Sequence, residues 1–210
     1  MTAVVPVKPL ALAKSRLALP ADQRRALALA FALDTISALS GSPLVAGVLV
    51  VTADPDVKRS VREWPVRLAF EGGTGMQSAV RAGCRAAASW RPGAGVAVVP
   101  ADLPCLLGDD VTHVLMCARS SDAAFVPDRA GTGTTMLVCT QGTTVVAQYG
   151  PRSAAKHRAL GLRSLDDAPA RARHDVDTLD DLRLAVTLGV GPETAAVLAS
   201  AHGALDQFAS

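Results

Sequence analysis

Apolar positions in this chain fall into short β-branched runs that alternate with longer stretches rich in Ala and Leu, the pattern of buried strands taking turns with covering helices. The runs 3–7, 44–51, 67–70, 96–99, 123–127 and 136–139 predict strands. Between them the pattern predicts a long helix over 20–40, with Asp22 suited to cap its start and Gly41-Ser42-Pro43 to stop it. It also predicts a short charged helix over 55–62 and helices over about 78–90 and 109–119. Such β-α-β alternation makes a mostly parallel, right-handed sheet with helices on both faces. Further on, Ser153 suits the cap of a helix that carries Lys156 and His157, and His157 reads as a helix-surface residue. Thr178 with Asp181 three places later resembles a capping box opening a helix that runs to Leu188. A last helix, about 192–208, sets Leu198, Ala201, Leu205 and Phe208 along one stripe, placed to dock on the core or on a second subunit of a homo-oligomer.

Candidate chemistry collects where the strands end. The run Val96-Ala97-Val98-Val99 closes on Pro100-Ala101-Asp102-Leu103-Pro104, so a carboxylate stands at a strand's carboxyl end between two prolines that hold it in place. In an open α/β sheet that edge is where ligands bind. The first strand is followed by Lys8, Lys14, Ser15 and Arg16, a donor set suited to phosphate oxygens; spacing alone leaves it open between that role and a solvated loop. Gly72-Gly73-Thr74-Gly75-Met76-Gln77 joins the third strand to a helix, as a flexible turn or as a loop whose backbone closes on a ligand. Gly131-Thr132-Gly133-Thr134 offers main-chain N–H groups and hydroxyls in the manner of an anion-binding nest. In Asp175-Val176-Asp177 an extended backbone sends both carboxylates to one face, and a pair so close needs a cation between its members. Asp102, Asp175 and Asp177 facing the basic loop form a set able to hold Mg²⁺ against polyphosphate oxygens, which is nucleotidyl-transfer chemistry.

Composition narrows the partners. The chain has 210 residues, half of them apolar and only 3% aromatic, which predicts one domain over 1–210 with a core of Ala, Val and Leu. A net charge of +2 without an aromatic-laced basic cluster argues for a small anionic partner and against nucleic acid. Cys84, Cys105, Cys117 and Cys139 have no Cys-x-x-Cys spacing and read as reduced thiols of a cytoplasmic protein. The apolar run 26–33 is far shorter than a membrane span, so no membrane partner is expected.

Taken in order, Val5-Pro6-Val7-Lys8, Ala13-Lys14-Ser15-Arg16-Leu17, Pro100-Ala101-Asp102-Leu103-Pro104, Asp128-Arg129 with Gly131-Thr132-Gly133-Thr134, and Asp175-Val176-Asp177-Thr178 with Asp181-Leu182 resemble the 2-phospholactate/phosphoenolpyruvate guanylyltransferases of coenzyme F-420 biosynthesis. The resemblance covers most of the chain and implies a Rossmann-like nucleotidyltransferase fold. The activity implied joins GTP to a phosphorylated three-carbon acid, releases diphosphate, and hands the product to a downstream transferase; the Ala-, Arg- and Val-rich composition, that of a high-GC bacterial source, favours phosphoenolpyruvate over 2-phospholactate as the acid. By position it implies Asp102, Asp175 and Asp177 as Mg²⁺ ligands and Lys8, Lys14, Ser15 and Arg16 toward the GTP phosphates, with Asp102, Lys14 and Arg16 central to turnover. Gly73, Gly75 and Gln77 are implied at the guanosine, and Thr134, Gly150 and Ser153 at the acid. The chain departs from the usual family pattern at Met76-Gln77, Thr135 and Ala154. A metal-dependent glycosyltransferase would explain Asp175 and Asp177 but leave the basic loop idle, and a nucleotide-binding protein without catalysis is the reading from another class.

Overall fold

A computed structural model describes residues 1–70, 75–140 and 147–200. Its strands join in one seven-stranded mixed sheet of order β3-β2-β1-β4-β6-β5-β7. The first four in that order are β1 (Thr2–Pro6), β2 (Gly47–Val51), β3 (Val66–Ala69) and β4 (Val96–Val98), and they pair in parallel. Residues of β1 and β4 are buried throughout, as expected of strands covered on both faces. β5 (Ala123–Pro127) and β6 (Thr134–Cys139) form a hairpin with a register shift at Val126/Pro127. β6 also pairs antiparallel with β4. It is therefore the one reversed strand among those described, because β7 (Arg163–Ser164) again runs parallel to β5. The mostly parallel expectation holds, with strand boundaries within three residues of those read in the sequence.

Side-chain alternation sorts the sheet into two faces. Val5, Val50, Ala97, Val126 and Val138 point to one cluster, beneath α1 (Ala21–Ser40) and α4 (Gly108–Ala118). Val4, Leu49, Val98, Phe125 and Leu137 point to the other, beneath α3 (Met76–Trp90) and α5 (Ser153–Ala159). A Cβ added at Gly83 of α3 would stand 2.4 Å from Val4 Cγ1 and 2.8 Å from Val51 Cγ2, so this helix lies on β1 and β2 at a distance only glycine permits.

The helix ends follow local chemistry. The side chain of Asp54 caps α2 (Pro55–Ser60), with a proline in the first turn. Thr178 and Asp181 form the expected capping box of α6 (Leu179–Leu188). Two expected caps are corrected. Asp22 lies inside the first turn of α1, where it faces the helix dipole but caps nothing, and Ser153 is the first residue of α5, not its cap. The described part of the last helix, α7 (Pro192–Ser200), packs against α1 of the same chain. Buried Asp34 of α1 accepts hydrogen bonds from the Glu193 and Thr194 amides there, at 3.0 and 2.9 Å.

Cys84, Cys105, Cys117 and Cys139 are all free. Burial pushes the thiols of Cys84, Cys105 and Cys139 up to about 11, which leaves them protonated at neutral pH. Among the described residues, no single helix is long and apolar enough to cross a membrane.

Candidate active site at the strand ends

The carboxyl ends of β1, β4 and β5 lie at one edge of the sheet, and reversed β6 begins there. After β1 the chain makes one 3-10 turn (Leu10–Leu12), pinned where the Leu10 amide donates to Asp54 Oδ2 at 2.8 Å. Buried Leu17 and Leu19 anchor the far side of the loop. Between these anchors Lys14 adopts the left-handed conformation, φ 54°, a backbone state uncommon away from glycine. That turn sends its ammonium inward: Nζ lies 2.8 Å from Asp102 Oδ2 and 3.1 Å from Asp177 Oδ1. Arg16, largely exposed, pairs with the other oxygen of Asp177. A cavity of about 190 Å³ opens here, lined by Lys8, Lys14, Ser15, Arg16, Met76, Asp102 and Asp177 among others.

The acidic side is assembled from distant stretches. Residues 174–177 run beside the loop after β4 without joining a strand, and the Val176 amide donates to the Asp102 carbonyl at 3.1 Å. Val176 is fully buried among Leu17, Phe31 and Leu182, while Asp175 and Asp177 remain partly accessible. Burial pushes the Asp175 carboxyl up to about 7, with Asp102 and then Asp177 adding to the rise. Burial also opposes the charge on Lys14, but Asp102 and Asp177 outweigh it and hold the pKa above its ordinary value. Among the described residues no three acidic, histidine or cysteine side chains form a ready metal cage; a lysine spans two of the carboxylates instead.

Thr134, Gly150 and Ser153 do not line that cavity. Thr134 and the segment carrying Gly150 and Ser153 come together around His157, which the sequence reading put on a helix surface and the structure buries completely. Its Nδ1 lies 2.9 Å from Thr134 Oγ1, and its Nε2 accepts from the Gln148 amide at 3.0 Å. Its ring is tilted against Phe125 and edge-on to Tyr149. Burial, with a smaller push from Lys156, lowers its pKa to about 4, so the ring is neutral at physiological pH. The Gln77 side-chain amide nitrogen donates to the Tyr149 carbonyl, 3.1 Å away, which joins the start of α3 to the same segment. Gly75 has φ 88° at the cap of α3, and Gly73 lies outside the described residues.

The expected open nest at 131–134 is corrected. Asp128 fills it: its carboxylate accepts from the Thr132 and Gly133 amides, both at 2.8 Å. The Gly131 amide donates to the Asp128 carbonyl at 3.0 Å. The loop is thus a self-satisfied hairpin turn, and its amides are not available to an anion. The sequence reading gave no role to Asp54, although Asp followed by Pro just before a helix is an N-cap signature, and no buried place to His157, for which the local sequence carries no signal. Cations, carboxylates and a confined cavity at the ends of parallel strands are suited to aligning polyphosphate and balancing its charge.

The family described as "Guanylyl transferase CofC like" matches residues 1–195. A phosphoenolpyruvate guanylyltransferase of Streptomyces scabiei is 45% identical over 206 residues, covering 94% of this chain and 95% of its own. One of Streptomyces coelicolor is 46% identical over 202 residues with the same coverage. Among solved structures, a nucleotide-diphospho-sugar transferase, so described, of Desulfovibrio desulfuricans G20 superposes with a TM-score of 0.70 at 18% identity, over 99% of this chain and 97% of that one. A nucleotidyl transferase of Methanothermobacter gives 0.65 at 14%, over 89% and 96%. Those two likenesses establish a nucleotidyltransferase fold, and the sequence matches over nearly the whole length establish more: this chain belongs to the CofC-like guanylyl transferase family.

Proposed function

We propose that this chain transfers the guanylyl group of GTP to phosphoenolpyruvate and releases diphosphate, as one cytoplasmic nucleotidyltransferase domain whose product passes to a downstream transferase in coenzyme F-420 biosynthesis. The observation that carries the reading is the meeting of Lys14 and Arg16 with Asp102 and Asp177 beside a cavity at the strand ends. Phosphoenolpyruvate as the acceptor is supported by the names of the Streptomyces relatives.

A phosphate monoester is anionic at neutral pH, so its oxygen attacks the α-phosphorus of GTP without first losing a proton to a base. The new oxygen–phosphorus bond forms as the bond from the α-phosphorus to the β-phosphate oxygen breaks, and diphosphate departs with that electron pair. What the chain must supply is alignment and charge. Lys8, Lys14, Ser15 and Arg16 would bind and orient the phosphates and balance the charge of the departing diphosphate. Gly75 and Gln77 would stand toward the guanosine, and Thr134, Gly150 and Ser153 toward the acid.

Asp102, Asp175 and Asp177 would hold Mg²⁺. One point supports the fit: the donors are all carboxylate oxygens, as a hard divalent cation prefers. When bound, the ion would neutralise charge on the reacting phosphates.

The test is diphosphate release with Mg²⁺ and GTP, offering phosphoenolpyruvate, 2-phospholactate and 3-phosphoglycerate separately, with ATP as the control nucleotide. Release with GTP and phosphoenolpyruvate is the expected result. Release only with 2-phospholactate would move the acceptor, and GTP binding without turnover on any acid would return the chain to the non-catalytic reading.

A further inference from the structure

His157 meets its two partners in a way that fixes the direction of both hydrogen bonds. The Gln148 main-chain N–H can only donate, so Nε2, 3.0 Å away, must be the bare nitrogen of the ring. A neutral imidazole then carries its proton on Nδ1, and that N–H donates to Thr134 Oγ1 at 2.9 Å. Burial holds the ring in this neutral form, in which Nε2 stays bare. The hydroxyl of Thr134 is therefore an acceptor toward His157, and its own hydrogen is left to be donated elsewhere.

We infer that His157 is a positioning residue that sets the polarity of Thr134, making its hydroxyl an obligate donor to the anionic acid substrate. The inference rests on the assignment of Thr134 to the acid made above. Carboxylate and phosphate oxygens only accept hydrogen bonds, so a threonine whose proton were drawn to the imidazole would meet the substrate with lone pairs. The ring also ties the neighbouring segment to this threonine. It lies one helical turn after Ser153, holds the Gln148 amide, and packs edge-on against Tyr149. Thr134 itself keeps 9% of its surface accessible, so it sits at the edge of the core and not deep inside it.

Steady-state diphosphate release, with the acid and GTP varied separately, tests this in four variants. His157→Gln keeps an acceptor for the Gln148 amide and loses the donor to Thr134, whereas His157→Asn keeps the donor and loses the acceptor. Thr134→Val removes the hydroxyl with His157 in place. The fourth variant combines Thr134→Val with His157→Gln. His157→Gln and Thr134→Val should each raise KM for the acid about tenfold, the loss of one charge-assisted hydrogen bond, with KM for GTP unchanged. His157→Asn should raise the acid KM clearly less than His157→Gln does, and the double variant should be no worse than Thr134→Val alone. Equal effects of Gln and Asn at His157, or an unaltered acid KM in Thr134→Val, would overturn the positioning role while the wild-type activity stood. A wild-type enzyme that turns over none of the acids would remove the functional reading and this role together.

Discussion

Lys14 reaches its two carboxylates because its own backbone takes a left-handed turn between buried anchors, so the ion pairs are built into the loop's conformation. Replacing one oxygen of Asp102 by an amide leaves the main-chain carbonyl that holds Val176 untouched and leaves Lys14 its contact with Asp177. Asp102→Asn should therefore fold as wild type, with an unchanged far-ultraviolet spectrum and a thermal midpoint within a few degrees. Turnover should fall by about a hundredfold or more, the order lost when one preorganised electrostatic group is removed from a reacting centre. Wild-type-like diphosphate release in this variant would take Asp102 out of the machinery. The meeting of Asp102 and Asp177 at the strand ends was legible in the sequence, because an acid that closes a β-branched run, and two acids around an apolar valine, mark that edge. His157 was not legible. Lys156 and Arg158 flank it and make a polar segment, and its burial comes from Phe125 and Tyr149, contacts that no local pattern announces.

Two junctions between elements decide whether the site is held in place. Asp54 serves both the start of α2, through the Asp56 and Val57 amides, and the basic loop, through the Leu10 amide. Asp54→Ala would uncap the helix and strand a buried N–H, a loss of about 2–3 kcal/mol. It should raise KM for GTP as the loop loosens, with Asp54→Asn intermediate because its oxygen can still cap. Chemical denaturation paired with the nucleotide KM checks both halves, and an unchanged KM would show that the loop needs no such pin. Gly83 is the other junction. Alanine is the better helix former by about 1 kcal/mol. Even so, Gly83→Ala should destabilise the protein by about 1–3 kcal/mol, because its methyl would overlap Val4 and Val51. A higher thermal midpoint for the variant would contradict the close seating of α3. At this scale the alternation of strands and helices was readable from hydrophobic spacing. Reversed β6 was hidden: the glycine and threonine loop before it looks like a ligand loop, and only Asp128, folding back on the Thr132 and Gly133 amides, makes it a hairpin turn.

At the scale of the whole molecule, a buried neutral histidine couples stability to pH. The pKa of His157 lies near 4 in the folded chain and at 6.5 as its ordinary value. Between those values the unfolded chain binds a proton that the folded one refuses, so the stabilisation from this group is complete above about 6.5 and is lost as pH falls toward 4. Wild type compared with His157→Asn isolates it, since the carboxyl groups titrate in both. The stability difference should shrink by on the order of 2–3 kcal/mol from pH 7 to pH 4, read by urea unfolding at several pH values. A constant difference would mean that His157 is charged or solvated in the native state. The clasp between the loop after β4 and the late segment bears on the order in which the molecule comes into being. The Val176 amide is bound to Asp102, and the Gly191 amide to Pro104, by a stretch that follows β7 in the chain. A growing polypeptide that has already emitted every described strand still lacks Asp175 and Asp177, and its Lys14 has one acidic partner in place of two. Synthesis thus delivers the scaffold first and the acidic centre last, and a chain interrupted between them is a sheet with half a site.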